Sequence, residues 1–177
     1  MDGAVTVEGK EPQKLTDLCN ELEQHGVTLC ALSEIRWKGE GTYRVNKKWF
    51  LVFSGLPEDA EKGEQGVGIL MQGDVYKSWK SSGEICNYAG SRLISIRLCI
   101  KKRWFSVISC YAPTFTSPEQ EKDSFYIKLH EMVKAVPSRD ELVILGDFNA
   151  RVGPNKDREH DPLHCCLLYT SPSPRDS

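Results

Sequence analysis

The chain of 177 residues lacks a run of about 18 apolar residues, the length that a membrane-spanning helix requires. Its N-terminal segment, MDGAVTVEGKEPQK, also lacks the basic and then apolar order of a secretory signal peptide. Neither sign of charge dominates, because 23 Lys and Arg stand against 25 Asp and Glu, so any polyanion-binding site must be a local basic patch. We therefore expect an intracellular protein, nuclear or cytoplasmic, that does not bind membranes; the sequence does not indicate its oligomeric state.

The sequence also lacks the regularly spaced, even-numbered cysteines of a disulfide-bonded protein. The seven cysteines are odd in number and stand mostly alone inside apolar runs, where a free thiol behaves as a small hydrophobic side chain. This use of cysteine is typical of a reducing compartment. The exception is a C-terminal group of His160, His164, Cys165 and Cys166. Adjacent cysteines chelate one ion poorly and no second pair stands nearby, so we do not expect a zinc site there.

The sequence has the composition of one globular domain, and its apolar residues, 40% of the total, recur with either the helical or the strand period. Spacings of three and four residues predict helices at about 14–25 and 118–136. Continuous or alternating apolar runs predict strands at about 27–32, 49–54, 66–71, 92–100, 104–111 and 142–145. This mixture of strands and flanking helices predicts a layered α/β or α+β sandwich.

Acidic residues follow two of the predicted strands. Glu34 stands just past the first strand, and Asp147 and Asn149 follow the last one, which Gly146 interrupts. In an extended segment Asp147 and Asn149 project from one face, while Phe148 points to the other and into the core. An Asp-x-Asn after a strand is also an ordinary turn signal. A second acid at the end of a second strand nevertheless provides the oxygen ligands that Mg²⁺ takes from proteins.

Four motifs in order resemble one superfamily. They are L-C-A-L-S-E-I-R-W at 29–37, G-V-G-I-L at 66–70, S-V-I-S-C-Y-A-P-T at 106–114 and I-L-G-D-F-N-A-R-V-G at 144–153. Together they resemble the endonuclease/exonuclease/phosphatase superfamily. Within it, the chain is most similar to the endonuclease domains of non-LTR retrotransposons and to craniofacial development protein 2-like proteins.

The resemblance covers about residues 14–153 and implies an α+β, DNase I-like fold: a four-layer αββα sandwich of two mixed β-sheets flanked by helices. The family's first strand, with its metal-binding Asn, has no counterpart in residues 1–13, and its closing Ser-Asp-His motif is missing. We therefore expect a domain truncated at both ends, with a non-family lead at 1–13 and a disordered tail at 154–177. From about residue 166 the tail resembles a translated sequencing-library adaptor and is expected to be artefactual.

The resemblance also implies roles for four residues. Glu34 would bind Mg²⁺ (or Mn²⁺), and Asp147 would orient or deprotonate the attacking water. Asn149 would hydrogen-bond the scissile phosphate or the nucleophile, and Tyr111 would donate to the phosphate. Without the resemblance, Tyr111 would be interpreted as an aromatic residue at the rim of a sheet.

Basic and aromatic residues alternate after Glu34, and this pattern suits nucleic acid. The candidate contacts there are Arg36, Trp37 and Lys38, and Arg92 is a fourth residue that could reach phosphate. The alternative is that these charges form an ordinary solvated face.

We expect the chain to be a partial Mg²⁺-dependent phosphodiesterase domain, a retrotransposon-type DNA endonuclease that hydrolyses phosphodiester bonds with a metal-activated water. The fragment alone is expected to be inactive. Two alternatives stay open. One is a catalytically inactive remnant that at most binds metal or nucleic acid, and the other is a phosphatase of the same superfamily.

Overall fold

The computed structural model describes residues 13–61, 63 and 65–150. The predicted lead, the predicted tail and the His160–Cys166 group fall almost entirely outside these residues. The described part contains three helices and eight strands: α1 (Gln13–Gln24), β1 (Leu29–Ser33), β2 (Glu40–Arg44), β3 (Trp49–Ser54), β4 (Val67–Gln72), α2 (Gly73–Ser81), β5 (Ile85–Tyr88), β6 (Leu93–Ile100), β7 (Arg103–Tyr111), α3 (Glu119–Lys134) and β8 (Glu141–Asp147). None of these helices is both long and apolar enough to cross a membrane.

The strands form two four-stranded sheets. The first sheet has the order β1-β4-β3-β2 with antiparallel neighbours, and the second has the order β5-β6-β7-β8. In the second sheet β7 and β8 run parallel, joined by a crossover through α3, whereas the other pairs are antiparallel. These two sheets with flanking helices confirm the predicted α+β sandwich. Among the described strands, the second sheet is mixed, as predicted, whereas the first sheet is entirely antiparallel.

Three clusters of buried side chains define the four layers. Residues from both sheets meet in the central cluster, which includes Val52, Ile69, Met71, Ile94, Ile96 and Leu98. The outer face of the first sheet packs against Leu15 and Cys19 of α1. The outer face of the second sheet packs against Phe125, Leu129 and Met132 of α3. The order of layers is therefore α1, first sheet, second sheet and α3.

The amphipathic elements lie close to their predicted positions. Helix α1 buries its stripe, strand β3 has the predicted bounds, and the β6–β7 hairpin turns at Lys101 and Lys102. Both turn residues have positive φ, of 50° and 67°, as a tight two-residue hairpin turn requires. The predictions missed β2, α2 and β5, which are short and expose much of their surface. The two strands contain too few apolar residues for a period to be recognised, and α2 is amphipathic over only nine residues, which is short for a helix prediction.

Candidate active site

The ends of three strands from both sheets meet at one rim of the sandwich. In the parallel pair of β7 and β8, Tyr111 lies directly opposite Asp147. The Tyr111 hydroxyl donates a 2.8 Å hydrogen bond to Oε1 of Glu34, which follows β1 in the other sheet. The structure thus brings together three of the predicted site residues: Tyr111 contacts the Glu34 carboxylate and is the strand partner of Asp147.

Tyr111 is held in its protonated form. Burial and the hydrogen bond to Glu34 raise the pKa of Tyr111 to about 12. The negative charges of Glu34 and Asp147 act in the same direction, and the nearby Arg92 opposes them. Because the phenol keeps its proton at neutral pH, the hydroxyl is a hydrogen-bond donor, and it donates to Glu34.

Glu34 lies in an unusual backbone segment. Its φ is 53° and that of Arg36 is 57°, so two non-glycine residues adopt the left-handed region. The backbone amides of Ile35 and Arg36 hold this segment by donating to the carbonyls of Gly66 and Gln65, at 3.2 and 3.1 Å. Such conformations occur where the surrounding structure enforces them, and they cluster at functional sites.

The carboxylate of Glu34 contacts a donor at each oxygen. Oε1 accepts from Tyr111, and Oε2 forms a 3.2 Å ion pair with Arg36. The Glu34 side chain is nevertheless 42% exposed, so a solvated ion or ligand can reach it. Arg36 is 56% exposed and places a positive charge beside the acid.

The Asp147-x-Asn149 segment differs from the extended conformation predicted for it. Asn149 has a φ of 46°, and its backbone N–H donates a 2.9 Å hydrogen bond to Oδ1 of Asp147. The Asp147 side chain therefore stabilises a turn immediately after β8. The side-chain amide of Asn149 donates to the carbonyl of Ala112 at 2.7 Å. Phe148 packs against the α3 core cluster, as predicted.

Gly146 allows β8 to approach β7 closely. A Cβ atom on Gly146 would lie 1.9 Å from the carbonyl oxygen of Cys110, and the φ of Gly146 is 140°. A larger residue would therefore clash with backbone atoms and strain its own backbone. This close contact places Asp147 next to Tyr111 in the pairing of β7 with β8.

The predicted nucleic-acid contacts have different environments. Trp37 packs edge-on against Tyr43 and Phe53, with ring centroids 5.1 and 5.0 Å apart, and so belongs to the apolar layer beneath α1. Lys38 is exposed and donates to the carbonyl of Glu58 at 3.0 Å. Arg36 and Lys38 therefore present the accessible charge of this segment, whereas the Trp37 ring is occupied by packing.

Arg92 lies at the site but in a protein-internal network. Its side chain is only 19% exposed and pairs with Glu121 of α3 at 2.7 Å. Its guanidinium lies over the Tyr111 ring, 5.1 Å from the centroid, and donates to the carbonyls of Tyr111 and Ala112. Glu121 could not be recognised from the sequence, because nothing in the periodicity of α3 links it to Arg92, which stands 29 residues earlier.

The acidic residues at the rim suit a hard divalent cation. Mg²⁺ is usually held by one or two carboxylates, with water and phosphate oxygens completing its coordination. Glu34 and Asp147 supply that number of carboxylates beside one tyrosine. The described residues contain no group of three or more His, Cys, Asp and Glu placed to hold an ion, so a multidentate protein cage is not formed by this part of the chain.

The chain is similar in sequence to craniofacial development protein 2. It is 30% identical over 151 residues to craniofacial development protein 2 of Bos taurus, and 28% identical over 151 residues to that of Tragulus javanicus. Each match covers 85% of this chain but only 24% and 25% of the relatives. The chain thus spans about a quarter of the length of these curated relatives. No protein-family model matches it.

Structure comparison agrees at the level of the fold. The chain resembles D. rerio TDP2 complexed with single strand DNA product, with a TM-score of 0.51 and 11% identity over 82% of this chain and 57% of that one. It also resembles a humanized D. rerio TDP2, with a TM-score of 0.50 and 13% identity over 84% and 65% of the two chains. The chain is therefore similar in sequence to craniofacial development protein 2 and shares the fold of TDP2, an α+β sandwich of two sheets with flanking helices.

Proposed function

We propose that the described residues form part of a Mg²⁺-dependent (or Mn²⁺-dependent) phosphodiesterase that hydrolyses DNA, of the retrotransposon endonuclease type. The observation that carries this proposal is the position of Tyr111. Its protonated hydroxyl contacts Glu34 and its strand neighbour is Asp147. A tyrosine hydroxyl bonded to one acid, on a strand end paired with that of a second acid and at a partly open rim, suits what a phosphodiester and a hard cation need together.

Each residue then has a distinct task. Glu34 would hold the metal ion, which when bound neutralises charge on the phosphoryl oxygens. Asp147 is suited to orient or deprotonate an attacking water, because it is ordered by its hydrogen bond from Asn149. The Asn149 amide uses one of its two protons on Ala112, and the other proton suits an oxygen of the phosphate or the nucleophile. Tyr111 has a single hydroxyl proton, so it would donate to the phosphate by exchanging its hydrogen bond from Oε1 of Glu34 to a phosphate oxygen.

DNA is the proposed partner. Arg36 and Lys38 stand two and four residues beyond Glu34 and are exposed, so they place positive charge along one side of the rim. Exposed basic side chains attract phosphates through release of counterions. One structural neighbour is described as complexed with single strand DNA product. An intracellular protein with access to DNA, in the nucleus or the cytoplasm, is consistent with these features.

The test requires the natural protein in which this segment has its full flanking sequence, called here the longer protein, alongside the chain of 177 residues. Supercoiled plasmid is incubated with each protein and Mg²⁺, and nicking is followed by gel electrophoresis. We expect the longer protein to nick the plasmid and Asp147→Ala to lower its rate by roughly 10²-fold or more, the usual scale of general-base catalysis. The 177-residue chain is expected to show little or no activity.

Other outcomes separate the alternatives. A longer protein that binds Mg²⁺ or DNA but never cleaves would support the inactive remnant. A longer protein that releases inorganic phosphate from a phosphomonoester, yet leaves plasmid intact, would support the phosphatase. Nicking that persists in Asp147→Ala would contradict the proposed site.

A further inference from the structure

Arg92 occupies a central position behind the candidate site. Two N–H groups of its guanidinium donate to Oε1 of Glu121, at 3.0 and 2.7 Å. A third nitrogen donates to the carbonyls of Tyr111 and Ala112, at 3.2 and 3.4 Å. The backbone carbonyl of Arg92 also accepts a 2.9 Å hydrogen bond from the Tyr111 amide. Arg92 therefore contacts three groups of Tyr111: the aromatic ring, the backbone carbonyl and the backbone amide.

The same network reaches Asn149 and Asp147. The Ala112 carbonyl that faces Arg92 also accepts the Asn149 side-chain amide at 2.7 Å. The Ala112 amide donates to the backbone carbonyl of Asp147 at 2.8 Å. A shift of Ala112 would thus move groups that hold both Asp147, at the end of β8, and Asn149, in the turn that follows it. The five donor positions and planar fork of an arginine suit this multiple contact, which a lysine ammonium cannot reproduce from one point.

We propose that Arg92, held by Glu121, is a positioning residue that orients Tyr111 and, through the Ala112 carbonyl, Asn149. It acts on catalysis through these neighbours and does not bind the DNA phosphates itself. The inference rests on the proposed phosphodiesterase function. It makes α3 part of the site, because Glu121 on that helix fixes the guanidinium against the ends of β6 and β7.

Kinetics distinguish positioning from DNA contact. In the longer protein, Arg92→Met and Arg92→Lys should each lower kcat about 10- to 100-fold, the scale of a lost supporting hydrogen bond, with KM little changed. A DNA contact would instead raise KM and reduce the slope of log affinity against log salt by about one. The matched control is Arg103→Met, which removes an arginine paired with Glu141 at the opposite end of β7. Its kcat should equal that of the wild type.

Nuclear magnetic resonance tests the positioning without any activity. Tyrosines labelled with ¹³C at Cζ each give a resonance, and the one that disappears in Tyr111→Phe is assigned to Tyr111. Arg92→Met and Glu121→Gln should both shift this resonance, because the guanidinium lies over the Tyr111 ring and Glu121 holds it there. Arg103→Met should leave the resonance in place. Circular dichroism melts identify any variant that unfolds, and Glu121→Gln, which keeps a hydrogen-bonding group, is the milder substitution.

The two ideas fail in different ways. If the wild-type longer protein does not cleave plasmid, the proposed function is wrong, and the Tyr111 resonance still tests whether Arg92 positions Tyr111. If cleavage occurs but the folded Arg92→Met and Glu121→Gln variants leave the Tyr111 resonance unchanged, the positioning role is wrong. A higher KM with unchanged kcat would likewise overturn it in favour of a DNA contact.

Discussion

The Tyr111 hydroxyl and the Glu34 carboxylate join the two sheets of the sandwich through a 2.8 Å hydrogen bond. The partners are 77 residues apart in sequence and follow strands that belong to different sheets. Tyr111 is 7% exposed, whereas the Glu34 side chain is 42% exposed. The bond therefore runs from the core to the surface, and the acid end is the one available to ligands.

This bond should be visible in the titration of Tyr111. Burial and Glu34 raise the pKa of Tyr111 to about 12, so Glu34→Gln should lower that pKa toward the ordinary value of about 10. The measurement is the pH dependence of the assigned ¹³Cζ tyrosine resonance. Asp74→Asn, which changes a solvent-exposed acid on α2, is the control. An unchanged pKa in Glu34→Gln would mean that the hydrogen bond does not form in solution.

The raised pKa also has a consequence for stability. A folded-state pKa above the unfolded value means that the unfolded chain loses its proton first as the pH rises. The contribution of Tyr111 is therefore complete below about pH 10 and is lost as the pH rises towards 12. Urea unfolding at pH 9 and pH 11 should show a smaller alkaline loss of unfolding free energy in Tyr111→Phe than in the wild type. Equal losses would contradict the assignment.

The two acids should fail differently when they are removed from the longer protein. Asp147→Ala should lower kcat by roughly 10²-fold or more at every Mg²⁺ concentration, because it removes the group proposed to act on water. Glu34→Ala should weaken Mg²⁺ binding and recover in part as the metal is raised, since mass action refills a weakened site. Plasmid nicking across a Mg²⁺ titration measures both. Identical metal dependence in the two variants would contradict this division of roles.

Gly146 should tolerate no side chain. Gly146→Ala would place a Cβ 1.9 Å from the Cys110 carbonyl oxygen at a φ of 140°, so the β7–β8 contact must open. We expect a loss of at least about 2–3 kcal/mol in unfolding free energy, measured by urea denaturation. The control is Gly26→Ala, which also has positive φ but no atom within 4 Å of the added Cβ. It should lose only about 1 kcal/mol. Equal losses would show that backbone strain alone matters.

Lys38 should contribute to DNA binding through charge alone. Lys38→Gln should weaken binding of the longer protein to duplexes of any sequence and reduce the salt slope by about one, because one phosphate contact is lost. Fluorescence anisotropy at several salt concentrations measures this. Lys77→Gln removes an exposed lysine from α2 and serves as the control. A sequence-dependent effect, or the same loss in the control, would contradict a phosphate contact near Glu34.

The chain of 177 residues should self-associate when produced alone. Strands β1 and β8 are edges of their sheets among the described residues, and Leu142 on β8 is 37% exposed. An unpaired apolar edge promotes pairing with other chains, and an added charge opposes it. Leu142→Lys should therefore increase the monomer fraction measured by analytical ultracentrifugation. Ile127→Lys, at a 59% exposed position on α3, should not. A monomeric, cooperatively melting wild type would contradict this expectation.

Much of the fold could be predicted because its signals are local. Hydrophobic period alone located α1, β3 and the β6–β7 hairpin, since each buries one face or both faces against a neighbour. The polar edge strand β2 lacks that signal, and α2 carries it over only nine residues, so the conformation of both depends on the strands and core beside them. Weak or short periodicity leaves such elements to tertiary packing.

The chemistry of the site divides in the same way. The residue types of Glu34, Asp147 and Tyr111, and their positions at strand ends, could be recognised from the motifs. Their mutual contacts could not, because these contacts depend on the stacking of two sheets and on the parallel register of β7 with β8. The hydrogen bond from the Asn149 side chain to Ala112 and the pairing of Arg92 with Glu121 likewise depend on groups distant in sequence. Periodicity records which face of an element is buried, whereas hydrogen bonds between elements form only once packing has brought the partners within about 3 Å.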